Sequence, residues 1–154
     1  MRTTCNIEFA KFLKEPYRTI YIIGTSNGLR VSDVISLKKE RLSKSKPTIR
    51  EIKTGKSKRI YIPAKARDYI DTLCALSTNE YVFCSKAKSG HISRQAVFKA
   101  FKKAAIAAGV TDNIGTHTMR KNYAHKAFEK SHNLNDVQRK LNHSNPAESA
   151  LYII

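Results

Sequence analysis

Two prolines, Pro47 and Pro63, bracket the stretch in which the hydrophobic period of this chain changes. Outside it, apolar residues recur at helical spacing. Inside it, Ile49 and Ile52 flank one arm, Ile60 and Ile62 mark a second, and the polar run TGKSK reads as the hairpin turn. Tyr81, Val82 and Phe83 favour a third short strand that ends at Cys84. A hairpin and one strand among helices predict an α+β domain, mainly helical, with a small three-stranded antiparallel sheet near residues 48 to 84.

The helices read as follows. Pro16 to about Thr25 is apolar enough for a buried helix, and Gly28 suits the turn that closes it. Val31, Val34, Ile35 and Leu37 open a second helix with Arg30 at its mouth. Such an arginine is either a solvated surface residue or one that converges on a site between two apolar-faced elements. Ala64 to Leu76 buries Ala66, Tyr69, Ile70 and Leu73 and has a structural role. Ser93 caps the next helix, Gly109 ends it, and Val97, Phe98, Phe101, Ala105 and Ala108 face inward. Its lysines Lys99, Lys102 and Lys103 form a solvated face or a row of phosphate contacts.

With 154 residues, 41% of them hydrophobic, the chain can bury one core. Its longest apolar stretch, near Ile20 to Ile23, is far too short to span a bilayer, and no secretory leader is recognisable. A cytoplasmic protein is expected. Cys5, Cys74 and Cys84 show no metal-binding spacing, which points to reduced thiols rather than zinc or a disulfide framework. The 29 Lys and Arg against 12 Asp and Glu leave +17, which favours a nucleic-acid partner over other polyanionic surfaces. The basic residues of the hairpin, Lys53, Lys56, Lys58 and Arg59, read first as backbone-phosphate contacts. Nothing in the residues themselves chooses Lys53 over Lys56.

The helix from about Thr116 to Lys130 carries the sharpest local signal. At about 100° per residue, His117 and Arg120 fall in the same half of the wheel as Met119, Tyr123, Ala124, Ala127 and Phe128. A buried arginine needs a partner. Either a carboxylate neutralises Arg120, or Arg120 and His117 face a cleft that holds an anion, which a helix N-terminus also favours. A structural histidine and a salt-bridged arginine account for the pattern equally well. Beyond a loop at Ser131 to Asn133, Leu134, Val137 and Leu141 mark a short helix, His143 lies in the following turn, and Tyr152 lies in a last helical turn.

NGLRVSDV around Arg30, IKTG around Lys53, HTMRKNYA around Arg120 and LNHSNPAESALYI ending near Tyr152 resemble the catalytic motifs of the tyrosine recombinase (phage integrase) family. The resemblance runs in order from about Asn27 to Ile154. Its specificity lies in the His-x-x-Arg pair, a later histidine and a tyrosine nine residues beyond that histidine. It implies the fold of DNA breaking-rejoining enzymes. It also implies that Arg30 and Arg120 grip the scissile phosphate, that His143 hydrogen-bonds it, and that His117 assists proton transfer at the tyrosine. Lys53 becomes the general acid for the departing 5′-hydroxyl, and Tyr152 the nucleophile of a 3′-phosphotyrosyl intermediate. Asp33 would orient Arg30, while Lys56, Lys58, Arg59 and Lys121 remain candidates for DNA-phosphate contact.

No metal is implied, because a strongly cationic site would stabilise the phenolate and the phosphorane, and no nucleotide cofactor, because the tyrosyl bond stores the phosphodiester energy. The implied partner is double-stranded DNA, with a tetramer on paired sites in a full-length parent and a monomer for the isolated domain. Residues 1 to 154 would be a single catalytic domain, lacking the core-binding domain and tail that the family usually carries. Asn142 stands where many members have glycine, and Lys121 where many have histidine. A DNA-binding remnant or regulator without strand exchange, and a type IB topoisomerase-like enzyme, are the alternative readings.

Overall fold

A computed structural model describes residues 8–44, 46–86, 89–110, 114–115 and 117–153. Cys5, Thr116 and Ile154 lie outside them. Helix α1, Tyr17–Asn27, ends because Gly28 adopts φ 68° and turns its N–H back to the Gly24 carbonyl, a left-handed cap that glycine takes without steric cost. Arg30 is extended and leads into short α2, Val31–Ile35, and then α3, Lys39–Leu42. Strands β1, Thr48–Arg50, and β2, Ser57–Arg59, pair antiparallel with Ile49 opposite Lys58, and Gly55 at φ 69° turns the chain between them.

The remaining helices are α4, Ala64–Leu76; α5, Arg94–Ala107; α6, Thr118–Ser131; α7, Leu134–Leu141; and α8, Pro146–Ile153. Ser93 caps α5 as expected, its hydroxyl accepting from the Ala96 N–H at 3.1 Å. Gly109, at φ 68°, follows the end of that helix. Among the described residues no helix is long and apolar enough to cross a membrane.

Two apolar clusters hold these elements. In the larger, Phe9 meets Tyr21 and Phe101 edge-on at 5.3 and 5.5 Å, joining helical residues 8–11, α1 and α5. The smaller gathers Ala124, Ala127, Val137 and Leu141 from α6 and α7, and Tyr152 and Ile153 of α8 pack on it. Helix α1 lies against α6 so closely that a Cβ on Gly24 would come within 2.2 Å of Met119 Sδ. Asn27, buried at the end of α1, docks the hairpin's outgoing arm: its side chain accepts from the Tyr61 N–H at 2.7 Å and donates to the Tyr61 carbonyl at 2.8 Å.

The sheet differs from expectation. Among the described residues it has two strands, and Tyr81 and Cys84 make only single antiparallel bridges, to Lys38 and His91. Val82 and Phe83 explain this. These neighbours are both buried, whereas a strand sends successive side chains to opposite faces, so the segment bends instead of pleating. Ile52 is exposed in the turn, and Phe98 is largely exposed beneath the Lys102 ammonium, 5.6 Å from its ring, rather than facing inward.

Candidate functional site

Arg120 is the largest fully buried side chain, 1% exposed. Its position on the inner face of α6 follows from the helical period, and its partners resolve the choice left by the sequence. Nη1 donates to the Gly28 carbonyl and Nη2 to the Leu141 carbonyl, each at 2.7 Å. Among the described residues no carboxylate forms an ion pair with it. Nε is buried without a hydrogen-bond partner. Burial and the neighbouring Arg30 charge lower the pKa, while the adjacent Tyr152 hydroxyl favours the charged form. The guanidinium is therefore clamped by main-chain carbonyls, with binding capacity left over at Nε and no carboxylate in direct contact, although the nearby Glu51 charge also favours its ionised form.

Arg30 converges on the same place. Its Nη1 meets Glu51 Oε2 at 2.8 Å, and Glu51 is buried at the end of β1. Asp33, expected to orient Arg30, instead accepts the Ile52 N–H at 2.9 Å through Oδ1 and so ties down the turn that precedes Lys53. Among the described residues its Oδ2 has no hydrogen-bond partner, and burial raises its pKa against the pull of the Ile52 amide. Asp33 thus acts on the hairpin, and Glu51 holds the arginine.

Helices α7 and α8 bring in the remaining residues. Asn142 ends α7 at φ 56°, a left-handed conformation that asparagine tolerates, which is why it can stand where glycine is common. The chain then turns His143 into the interior. Nδ1 lies 2.8 Å from the buried Ser149 hydroxyl, and the ring stacks on that of Tyr152 with centroids 5.5 Å apart and an interplanar angle of 20°. Desolvation, then the Arg120 charge, push the His143 pKa down to about 4, so the imidazole is neutral at pH 7. Glu148 Oε2, 4.0 Å from Nε2, opposes that shift only in part.

His117 departs from its place on the wheel. It is the N-cap of α6 and is exposed, because the helix begins one residue later and its periodicity does not govern the cap. Partial desolvation and then the cations Lys121, Arg94, Arg120 and Arg30 lower its pKa, which places it at the rim of the same cationic cluster. Lys121 is exposed beside it.

The basic residues of the hairpin divide. Lys53 is exposed in the turn and makes no hydrogen bond or ion pair among the described residues. Arg59 is also exposed. Lys56 donates to the Asn142 carbonyl at 3.1 Å and Lys58 to the Lys140 carbonyl at 2.7 Å, so both bind the C-terminal end of α7, where the helix dipole favours cations. Lys58 shares the inner face of the hairpin with Ile49. Desolvation, then Arg120, lower its pKa to about 8.

Sequence reasoning passed over Glu51, Ser149 and Arg94. For Glu51 a signal existed. Two residues after inward-facing Ile49, the strand period turns it inward too, and a buried carboxylate demands a partner as a buried arginine does. Ser149 and Arg94 carried no comparable mark, because the residues they act on, His143 and His117, lie outside the helices that carry them.

The profile described as the phage integrase family matches residues 3–153. A probable integrase/recombinase, YoeC of Bacillus subtilis, is 32% identical over 136 residues, covering 87% of this chain and 75% of the relative. A tyrosine recombinase of Pseudothermotoga lettingae is 34% identical over 133 residues, covering 82% of this chain but 45% of the relative, so the chain spans about half of that protein. The fold matches that of a lambda integrase tetramer bound to a Holliday junction, with a TM-score of 0.74 at 18% identity over 97% of this chain and 46% of that one.

Proposed function

The chain belongs to the phage integrase family, and from that premise we propose that it cleaves and rejoins DNA through a covalent 3′-phosphotyrosyl bond at Tyr152. The observation that carries the reading is Arg120, buried beside the Tyr152 hydroxyl with a partnerless Nε and no carboxylate of its own among the described residues. A desolvated arginine that no carboxylate touches directly, set beside the charge of a second arginine, favours an anionic substrate.

In this mechanism a phosphodiester enters between Arg30 and Arg120, whose N–H groups bind its non-bridging oxygens and stabilise the charge of the pentacoordinate transition state. The Tyr152 oxygen attacks phosphorus and loses its proton toward His117, which is neutral at pH 7 and able to accept it. The bond from phosphorus to the 5′-oxygen breaks, and Lys53 protonates the leaving oxygen. His143 contributes a hydrogen bond to the phosphate. When the Ser149 hydroxyl donates to Nδ1, the hydrogen sits on Nε2, the tautomer that donates to an oxyanion. Rejoining reverses these steps with the 5′-hydroxyl of a partner strand. The lambda integrase tetramer bound to a Holliday junction supports an assembly of the same order when this domain acts on DNA.

The test is a duplex nicked so that cleavage traps the enzyme. An adduct formed by the unmodified protein and lost in Tyr152→Phe supports the mechanism. Salt-sensitive DNA binding with no adduct on any substrate would replace it with a regulator that only binds.

A further inference from the structure

Glu51 is almost fully buried and its carboxylate joins three separate parts of the chain. Oε2 accepts from Arg30 Nη1 at 2.8 Å and from the Thr54 hydroxyl at 3.2 Å, and Oε1 accepts from Asn142 Nδ2 at 2.8 Å. Arg30 leads into α2, Thr54 follows Lys53 in the hairpin turn, and Asn142 precedes His143. A carboxylate has lone pairs for all three donors at once, which no neutral side chain of its size can match.

The contact with Asn142 is part of a wider clasp. Lys56 and Lys58 reach the Asn142 and Lys140 carbonyls, and Asn142 Nδ2 also approaches the Ser57 carbonyl at 3.4 Å. The hairpin is thus fastened to the end of α7 from several points, and Glu51 is the only one of those points that also holds Arg30. Its placement does more than neutralise charge. Surrounded by Arg30, Arg120 and Lys58, it fixes the direction in which Arg30 presents its remaining N–H groups.

We infer that Glu51 is a positioning residue of the site, aiming Arg30 and locking the hairpin that carries Lys53 to the corner that carries His143. The inference rests on the recombinase reading above for its consequence in catalysis, and on geometry alone for the coupling itself. Glu51 does not touch the phosphate. It sets the relative placement of groups that do, and small misplacements of such groups slow a reaction far more than they weaken binding.

The experiment compares the unmodified chain with Glu51→Gln, Asn142→Gly, the double variant, and Ile60→Val as a control that loosens the hairpin without touching the network. Glycine suits the backbone of position 142, so Asn142→Gly keeps the fold if Glu51→Gln does not. The substrate is a nicked duplex selected from a randomised pool by the adduct that the unmodified protein forms on it. Glu51→Gln is expected to slow adduct formation at saturating DNA by about 10–100-fold with affinity little changed. Asn142→Gly slows it less, the double variant is no slower than Glu51→Gln, and Ile60→Val keeps the rate.

A Glu51→Gln rate equal to that of the unmodified protein overturns the inference, as does a double variant whose losses multiply. A second measurement needs no DNA: the NMR signals of the Arg30 guanidinium and the His143 ring in Glu51→Gln. Both are expected to move, and unchanged His143 signals overturn the coupling. If the unmodified protein forms no adduct on any duplex, the recombinase reading fails, and the NMR measurement still decides whether Glu51 couples Arg30 to His143.

Discussion

The His143 imidazole lies nearly parallel to the Tyr152 ring, 5.5 Å away between centroids. The stack places a neutral imidazole against the phenol that sits beside Arg120, and Ser149 holds it from behind. The Tyr152 ring is anchored on the small cluster between α6, α7 and α8, so the position of the phenol depends on packing as well as on the helix that carries it.

The depressed pKa of His143 makes stability depend on pH. The folded value near 4 lies below the unfolded value of about 6.5, so the folded state binds fewer protons over that interval. The contribution is complete above pH ~6.5 and is lost as pH falls toward 4. Burial lowers the pKa of His117 too, in the same direction. Urea unfolding at stepped pH should show a steeper decline between pH ~6.5 and 4 in the unmodified protein than in His143→Gln. Equal slopes would mean that folding does not lower the pKa of His143.

Gly28 should not tolerate a side chain. It sits at φ 68°, and a Cβ there would lie 2.4 Å from the Tyr123 ring and 2.9 Å from Leu141 Cδ2. Left-handed strain and overpacking together predict that Gly28→Ala loses about 3 kcal/mol in urea denaturation. Because the Gly28 carbonyl also holds Arg120, adduct formation should fall at temperatures where the variant is still folded.

Lys53 and Lys58 should separate chemistry from stability. Lys53 is exposed and makes no hydrogen bond or ion pair among the described residues, so Lys53→Ala should change stability by less than about 0.5 kcal/mol while suppressing cleavage. Lys58 spans from β2 to the Lys140 carbonyl and lies 5.4 Å from the Tyr123 ring centroid. Lys58→Ala should loosen the hairpin's attachment to α7, which faster hydrogen exchange at the amides of residues 48–59 would register. A Lys53→Ala protein that cleaves normally would move the general-acid role elsewhere.

Arg120→Lys keeps the charge and loses the fork. A lysine cannot donate to the Gly28 and Leu141 carbonyls from two nitrogens at once, so one is left unpaired at a cost of about 1–3 kcal/mol. Urea midpoints give the stability loss. Adduct formation should fall well beyond what that loss accounts for, since bidentate phosphate binding goes with the fork.

Several parts of the fold were legible because their causes are local. Gly28, Ser93 and Gly109 mark helix ends through backbone geometry and one capping hydroxyl, which act within a few residues. The inward face of Arg120 followed from the period of its own helix. The third strand failed where neighbours from elsewhere in the chain overrode local preference, drawing both Val82 and Phe83 into the core, whereas Phe98 turns outward beneath Lys102, four residues along its own helix.

The sequence by itself determined most of the elements, the order of the polar residues along them, the family, and the excess of positive charge that calls for a polyanion. The tertiary structure decided the partners. Arg120 reaches across 92 positions to the Gly28 carbonyl, and Asn142 across 91 to Glu51, because the packing of α1, the hairpin and α7 brings those atoms within hydrogen-bonding distance. No periodicity encodes such a pairing. It arises from how apolar faces close on one another, and that closure leaves Arg120 with carbonyls for partners and gives Arg30 the carboxylate.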